Sequence, residues 1–195
     1  SSDLTFLGQQ LILKLTAQPD MISFAGGLPA AEWIPVDKIA EITADILGGS
    51  GAMPALQYGV TEGAMPFREQ LRDFLADAGV KTQSTNELFV VSGGQQGIDL
   101  MCKVFLDKGD YVLVENPTYL AFLQIASSYE AKAVGVDSDE NGLKLDDLEA
   151  KIKKYRPKFL YVVPTFSNPT GKTYSTENRK GIAALAERSE ERRVG

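Results

Sequence analysis

From about residue 86 onward, short apolar segments alternate with amphipathic ones, and this alternation limits the folds open to the chain. Segments that predict β-strands lie at 88–91, 111–114, 131–136 and 159–163, and helical periodicity follows each of them. Continuous apolar strands separated by amphipathic helices are typical of a parallel sheet covered on both faces. We therefore predict an α/β fold with an open, mostly parallel sheet and helices on both faces. An eight-stranded barrel uses the same units, and the alternation alone does not exclude it.

The first eighty residues lack this alternation. Ile39, Ile42 and Ile46 recur at helical spacing between Pro35 and the glycines that follow, which predicts one short helix. A second apolar stripe, with Phe67 and Phe74, predicts another helix that ends at Gly79. Small and flexible residues are enriched at 48–54. We expect residues 1–50 to be an N-terminal segment of a smaller lobe, and residues 51–195 to be the first half of a truncated larger domain.

Composition excludes several kinds of chemistry. The chain has no histidine, which removes Ser-His-Asp and Cys-His catalysis and histidine metal sites. A single cysteine, Cys102, excludes an internal disulfide or a multi-cysteine zinc site, so no metal site is predicted. A net charge of −6 indicates no general affinity for nucleic acid or anionic membranes. With no long apolar segment and no signal peptide, we expect a cytoplasmic protein.

Polar turns follow three of the predicted strands, where open α/β sheets bind their ligands. Asn168, in the turn Ser167-Asn168-Pro169-Thr170-Gly171, is held extended by the following proline, which leaves its amide free to contact a ligand. The turn 92–94 opens a helix, and its free backbone N–H groups suit a phosphate. Tyr119, in the turn after the second strand, offers an aromatic plate.

Each turn alone is more often an ordinary surface turn or helix start. Together they describe a pocket for a flat, phosphorylated, polar ring, and pyridoxal 5′-phosphate meets these requirements best.

The motifs that carry a family resemblance follow one another in a fixed order: 22–29 (ISFAGGLP), 56–59 (LQYG), 61–63 (TEG), 92–96 (SGGQQ), 116–119 (NPTY) and 167–171 (SNPTG). In this order they resemble the fold-type I pyridoxal-phosphate aminotransferases of class I/II. Within that group the chain looks most like the α-aminoadipate/kynurenine aminotransferases. The resemblance extends over nearly the whole chain, to about Glu187.

The resemblance implies a role for several residues. Gly94 and Gln95 would bind the cofactor phosphate, Tyr119 would stack on the pyridine ring, and Asn168 would hydrogen-bond its 3-oxygen. Tyr58 would reach the phosphate of the partner's cofactor in a homodimer. Relatives often carry a hydroxyl residue where this chain has Gly94.

The implied substrate contacts are Gly26, Gly27 and Asn168, near the α-carboxylate. The resemblance places the Schiff-base lysine, the aspartate at the pyridine nitrogen and the substrate-binding arginine downstream of Gly195. No catalytic residue is therefore predicted within this chain, and we expect these residues alone to be inactive.

The resemblance implies that the full-length enzyme transfers an amino group from an amino acid to a 2-oxo acid. Three alternatives stay open. One is a pyridoxal-phosphate-dependent lyase or synthase on the same fold. Another is the aminotransferase-like effector domain of a bacterial transcription regulator, which a basic helix-turn-helix segment upstream of Ser1 would favour. The third is a non-catalytic fragment or pseudoenzyme. The amino-acid substrate is not specified by these residues.

Overall fold

The computed structural model describes residues 29–194, with side chains through Ser189. The chain divides into two compact units, residues 1–60 and 61–195. In the first unit, a 3-10 turn at Ala31–Trp33 precedes helix α1, Val36–Gly48, and helix α2, Ala52–Leu56. Helix α1 confirms the helix predicted from the isoleucine spacing. The expected lobe boundary at residue 50 stays a prediction.

The second unit alternates helices and strands, as the sequence indicates. Its elements are helix α3 (Met65–Asp77), a 3-10 turn (Thr85–Glu87), helix α4 (Gly93–Phe105), strand β1 (Tyr111–Glu115), helix α5 (Leu120–Ser128), strand β2 (Lys132–Val136), helix α6 (Leu145–Tyr155), strand β3 (Phe159–Tyr161) and helix α7 (Thr176–Val194). The three strands form a parallel sheet in the order β2-β1-β3. This confirms the predicted α/β class with an open parallel sheet.

Strand β1 lies at the centre of the sheet and contributes to a core on each face. Val112 and Val114 belong to one buried cluster, which also contains Cys102 of α4 and Phe122 of α5. Leu113 points to the opposite face, because successive strand residues alternate. Its cluster also contains residues of α6 and α7, namely Leu148 and Leu185. Helices therefore cover both faces, and the carboxyl end of β1 is held between two packed layers.

Two strand predictions require correction. Residues 88–91 form no strand, although Leu88 is extended, because no described segment pairs with them in a ladder. The Val90 N–H instead donates to the Glu62 carbonyl at 3.0 Å. Strand β3 ends at Tyr161 rather than at 163, because the Val163 N–H donates to the Glu115 side chain at 3.2 Å instead of to a neighbouring strand. The last predicted helix extends beyond residue 187, to Val194.

Candidate functional site

Helix α4 begins in a tight turn that leaves several backbone donors unpaired. The Gly93 N–H donates to the Val91 carbonyl at 2.9 Å, and Gly93 itself has a φ of 80°, which favours glycine. The side-chain carbonyl of Gln96 accepts a hydrogen bond from the Ser92 N–H. This bond ties the incoming chain to the first turn of the helix, a role that the sequence analysis did not assign to Gln96.

The backbone N–H groups of Gly94 and Gln95 are the free donors of this turn. Both residues are exposed, and no described residue accepts a hydrogen bond from their backbone N–H groups. A Cβ atom built on Gly94 would meet nothing within 4 Å, so the space above the turn is open. Free N–H groups at the positive end of a helix dipole, with open space before them, fit a phosphate group.

Tyr119 immediately precedes helix α5 and is half-buried. It packs against the same core cluster as Ile98 of α4 and Tyr161 of β3. The ring of Tyr161 stacks on Phe122, with centroids 4.0 Å apart and an angle of 8° between the planes. Burial is the largest cause of a raised pKa at Tyr161, and the nearby Glu115 and Tyr119 raise this pKa further. Tyr119 therefore packs against the core cluster that contains Phe122.

Asn168 lies in a closed loop after β3. The Tyr174 N–H donates to the Pro164 carbonyl at 2.9 Å, and the Ser167 N–H donates to the Lys172 carbonyl at 2.8 Å. Asn168 is exposed and its bond to Pro169 is cis. The structure therefore presents the Asn168 side chain at the surface of an internally bonded loop.

Two hydroxyl oxygens beside the predicted contacts are buried without a partner. They are Oγ1 of Thr118, which precedes Tyr119, and Oγ of Ser167, which precedes Asn168. Neither is bonded to another described residue. Buried polar atoms are nearly always hydrogen-bonded in native proteins, so these two hydroxyls would suit a polar ligand bound beside the strand ends.

Glu115, the last residue of β1, is a site residue that the sequence analysis missed. Its side chain is buried and accepts hydrogen bonds from the Val163 N–H at 3.2 Å and from the Tyr174 hydroxyl at 2.6 Å. Burial and then the Glu115 carboxylate raise the pKa of Tyr174 well above its usual range. An acidic residue at the end of an apolar strand was a visible signal, but its partners lie far along the chain.

The remaining predicted contacts lie outside the described part of the second unit. Tyr58 belongs to the first unit and is fully exposed, while Gly26 and Gly27 lie outside the described residues. A groove between α6 and α7, lined by residues that include Arg156 and Arg188, contains none of the predicted contacts. Among residues 29–189, whose side chains the structure describes, no cluster of metal-binding side chains occurs. No helix within residues 29–194 is long and apolar enough to cross a membrane.

Comparison with known proteins shows the family of the chain. Residues 20–192 match the family of class I and II aminotransferases. The chain belongs to this family. It is 41% identical over 180 residues to an aromatic-amino-acid aminotransferase of Thermococcus litoralis, covering 90% of this chain and 43% of that protein. It is 43% identical over 174 residues to a 2-aminoadipate transaminase of Thermus thermophilus, covering 89% and 42%.

The fold of this aminotransferase-family chain is also that of a solved relative. A kynurenine aminotransferase of Pyrococcus horikoshii, in complex with PMP, superposes with a TM-score of 0.85 at 38% identity, covering 94% of this chain and 46% of that one. The chain therefore spans less than half the length of the relatives it matches. The family uses pyridoxal phosphate, and the donors at the start of α4 suit its phosphate.

Proposed function

We propose that this chain forms the cofactor-binding half of a pyridoxal-phosphate-dependent aminotransferase. The observation that carries the proposal is the pair of free N–H groups at Gly94 and Gln95, at the start of a helix in a chain of this family. These groups would hold the phosphate, Tyr119 would lie against the ring, and Asn168 would donate its amide hydrogen to the ring 3-oxygen. The bound cofactor supplies the electron sink for chemistry at the amino acid's α-carbon.

In the proposed reaction an amino acid donates its amino group to a 2-oxo acid. The names of the similar Thermococcus and Thermus proteins support this class of reaction. We further propose a homodimer, since the fully exposed ring of Tyr58 is available to a second copy of the chain. Sedimentation of the complete protein tests this: an active monomer would contradict the role of Tyr58.

Binding of pyridoxamine 5′-phosphate is the direct test of the cofactor site. This form has no aldehyde, so it does not react with surface lysines and reports only the pocket. We expect it to bind at least about tenfold more tightly than pyridoxamine, because charge-assisted hydrogen bonds to phosphate are strong. Equal affinity for the two compounds would refute the phosphate site.

A variant pair tests the amide contact. Asn168→Ala should weaken binding of pyridoxamine 5′-phosphate, whereas Asn141→Ala, at another exposed turn of the same unit, should not.

Product analysis with the complete protein then identifies the reaction. Conversion of the 2-oxo acid to its amino acid supports transamination, while ammonia release or a cyclic product supports the lyase or synthase alternative.

A further inference from the structure

The buried carboxylate of Glu115 joins the two segments that carry the proposed ring contacts. Glu115 is 3% exposed and ends strand β1, four residues before Tyr119. One carboxylate oxygen accepts from the Val163 N–H at 3.2 Å, and the other accepts from the Tyr174 hydroxyl at 2.6 Å. Val163 and Tyr174 flank the loop that contains Asn168, so a single side chain holds both ends of that loop to the end of β1.

The base of the loop is also held from helix α7. The Arg179 guanidinium donates to the Pro164 carbonyl at 2.7 Å, to the Thr165 hydroxyl at 3.0 Å and to the Tyr174 carbonyl at 3.1 Å. Arg179 therefore reinforces the loop itself. Glu115 is the residue that connects the loop to the segment before Tyr119.

We propose that Glu115 is a positioning residue that sets the placement of Asn168 relative to Tyr119 and thereby the affinity for the ring 3-oxygen. The inference rests on the proposed function, because it uses the assigned role of Asn168. A carboxylate suits this task, since both of its oxygens accept hydrogen bonds and the two donors approach different oxygens. A glutamine would turn an N–H group toward one of these donors.

Burial of the acid indicates that its role is specific. A buried carboxylate costs free energy unless its hydrogen bonds compensate for lost water. An apolar residue here would extend the packing of β1 but leave the Val163 N–H and the Tyr174 hydroxyl unpaired. A tyrosine is protonated at neutral pH, and burial together with Glu115 raises the pKa of Tyr174 further, so its hydroxyl is a donor there.

The test compares pyridoxamine 5′-phosphate with its 3-deoxy analogue, which lacks the ring 3-oxygen, on the full chain. Tyr174→Phe should weaken binding of the first compound about three- to tenfold and leave the second unchanged. Glu115→Gln, which conserves side-chain size, should have the same effect. In an Asn168→Ala background, Tyr174→Phe should have no further effect. Circular dichroism checks that each variant is folded.

Tyr129→Phe is the matched control. The Tyr129 hydroxyl donates to the Asp99 carboxylate at 2.9 Å, so this variant also removes a tyrosine–carboxylate bond, but one outside the Asn168 loop. Equal weakening of both ligands, or an equal effect of Tyr129→Phe, would overturn the positioning role. Suppose that the parent chain binds pyridoxamine 5′-phosphate more tightly than pyridoxamine and loses affinity in Asn168→Ala, yet keeps its affinity in Tyr174→Phe. In that case only the positioning role fails. If the parent binds the two compounds equally, the proposed function fails as well.

Discussion

The side-chain amide of Asn178 pairs with both backbone groups of Leu143. Its Oδ1 accepts from the Leu143 N–H at 3.1 Å, and its Nδ2 donates to the Leu143 carbonyl at 2.7 Å. Both residues are buried, and Leu143 belongs to the core cluster beneath α6 and α7. The amide thus replaces a backbone partner for the turn before α6 and fixes helix α7 to that turn.

Replacing Asn178 with aspartate should destabilise the second unit. The carboxylate keeps the acceptor but loses the donor, and it places a negative charge against the buried Leu143 carbonyl. We expect a loss of about 2–4 kcal/mol in the free energy of unfolding, measured by urea denaturation. Asn141→Asp, at an exposed position, should change stability by less than about 0.5 kcal/mol. Equal stability of the two variants would show that the pairing contributes little.

Gly142→Ala should destabilise the same turn by a different mechanism. Gly142 has a φ of 132°, and a Cβ there would lie 2.9 Å from Cγ of Tyr174 and against the Asn178 side chain. Gly109→Ala is the control, since Gly109 has a φ of 90° but open space around it. We expect the control to lose about 1 kcal/mol from backbone strain and Gly142→Ala to lose at least about 1 kcal/mol more from the clash. Similar thermal shifts in the two variants would contradict this.

The sequence predicted the elements whose apolar periodicity marks a buried face. Helices α5 and α6 and strands β1 and β2 lie close to their predicted positions, because their apolar periodicity coincides with the buried faces. The segment 88–91 has the same apolar, β-branched character but forms no strand. A strand depends on a neighbouring backbone, and composition does not reveal whether that neighbour is present.

The site was predictable only in part, for the same reason. The turns that contain Gly94, Tyr119 and Asn168 were visible as local patterns at the ends of predicted strands. The contacts that hold them in place were not. Glu115 reaches Val163 across 48 positions and Tyr174 across 59, and such pairs leave no local signal in one sequence.

Asp147 should make the stability of the second unit depend on pH in the acid range. Burial acts to raise its pKa, but hydrogen bonds from Lys151 at 2.6 Å and from the Asp137 N–H at 2.8 Å lower it overall. Its stabilising contribution is therefore present above about pH 4 and lost as the pH falls through the lowered pKa. Asp147→Asn should lose less stability than the parent between about pH 4 and pH 2. Lys151→Gln, which keeps the backbone bond, should give an intermediate slope in urea titrations at each pH.

Gly94→Ser should strengthen binding of pyridoxamine 5′-phosphate. The space at this position is open, and a serine hydroxyl in the first turn of α4 adds a donor beside the free N–H groups of Gly94 and Gln95. A single added hydrogen bond to a charged group corresponds to an affinity gain of about three- to tenfold in calorimetric titration. Gly94→Ala provides the matched control, since it restricts the backbone equally without adding a donor. If serine and alanine give the same affinity, the hydroxyl does not reach the phosphate, and the first turn of α4 holds it through backbone N–H groups alone.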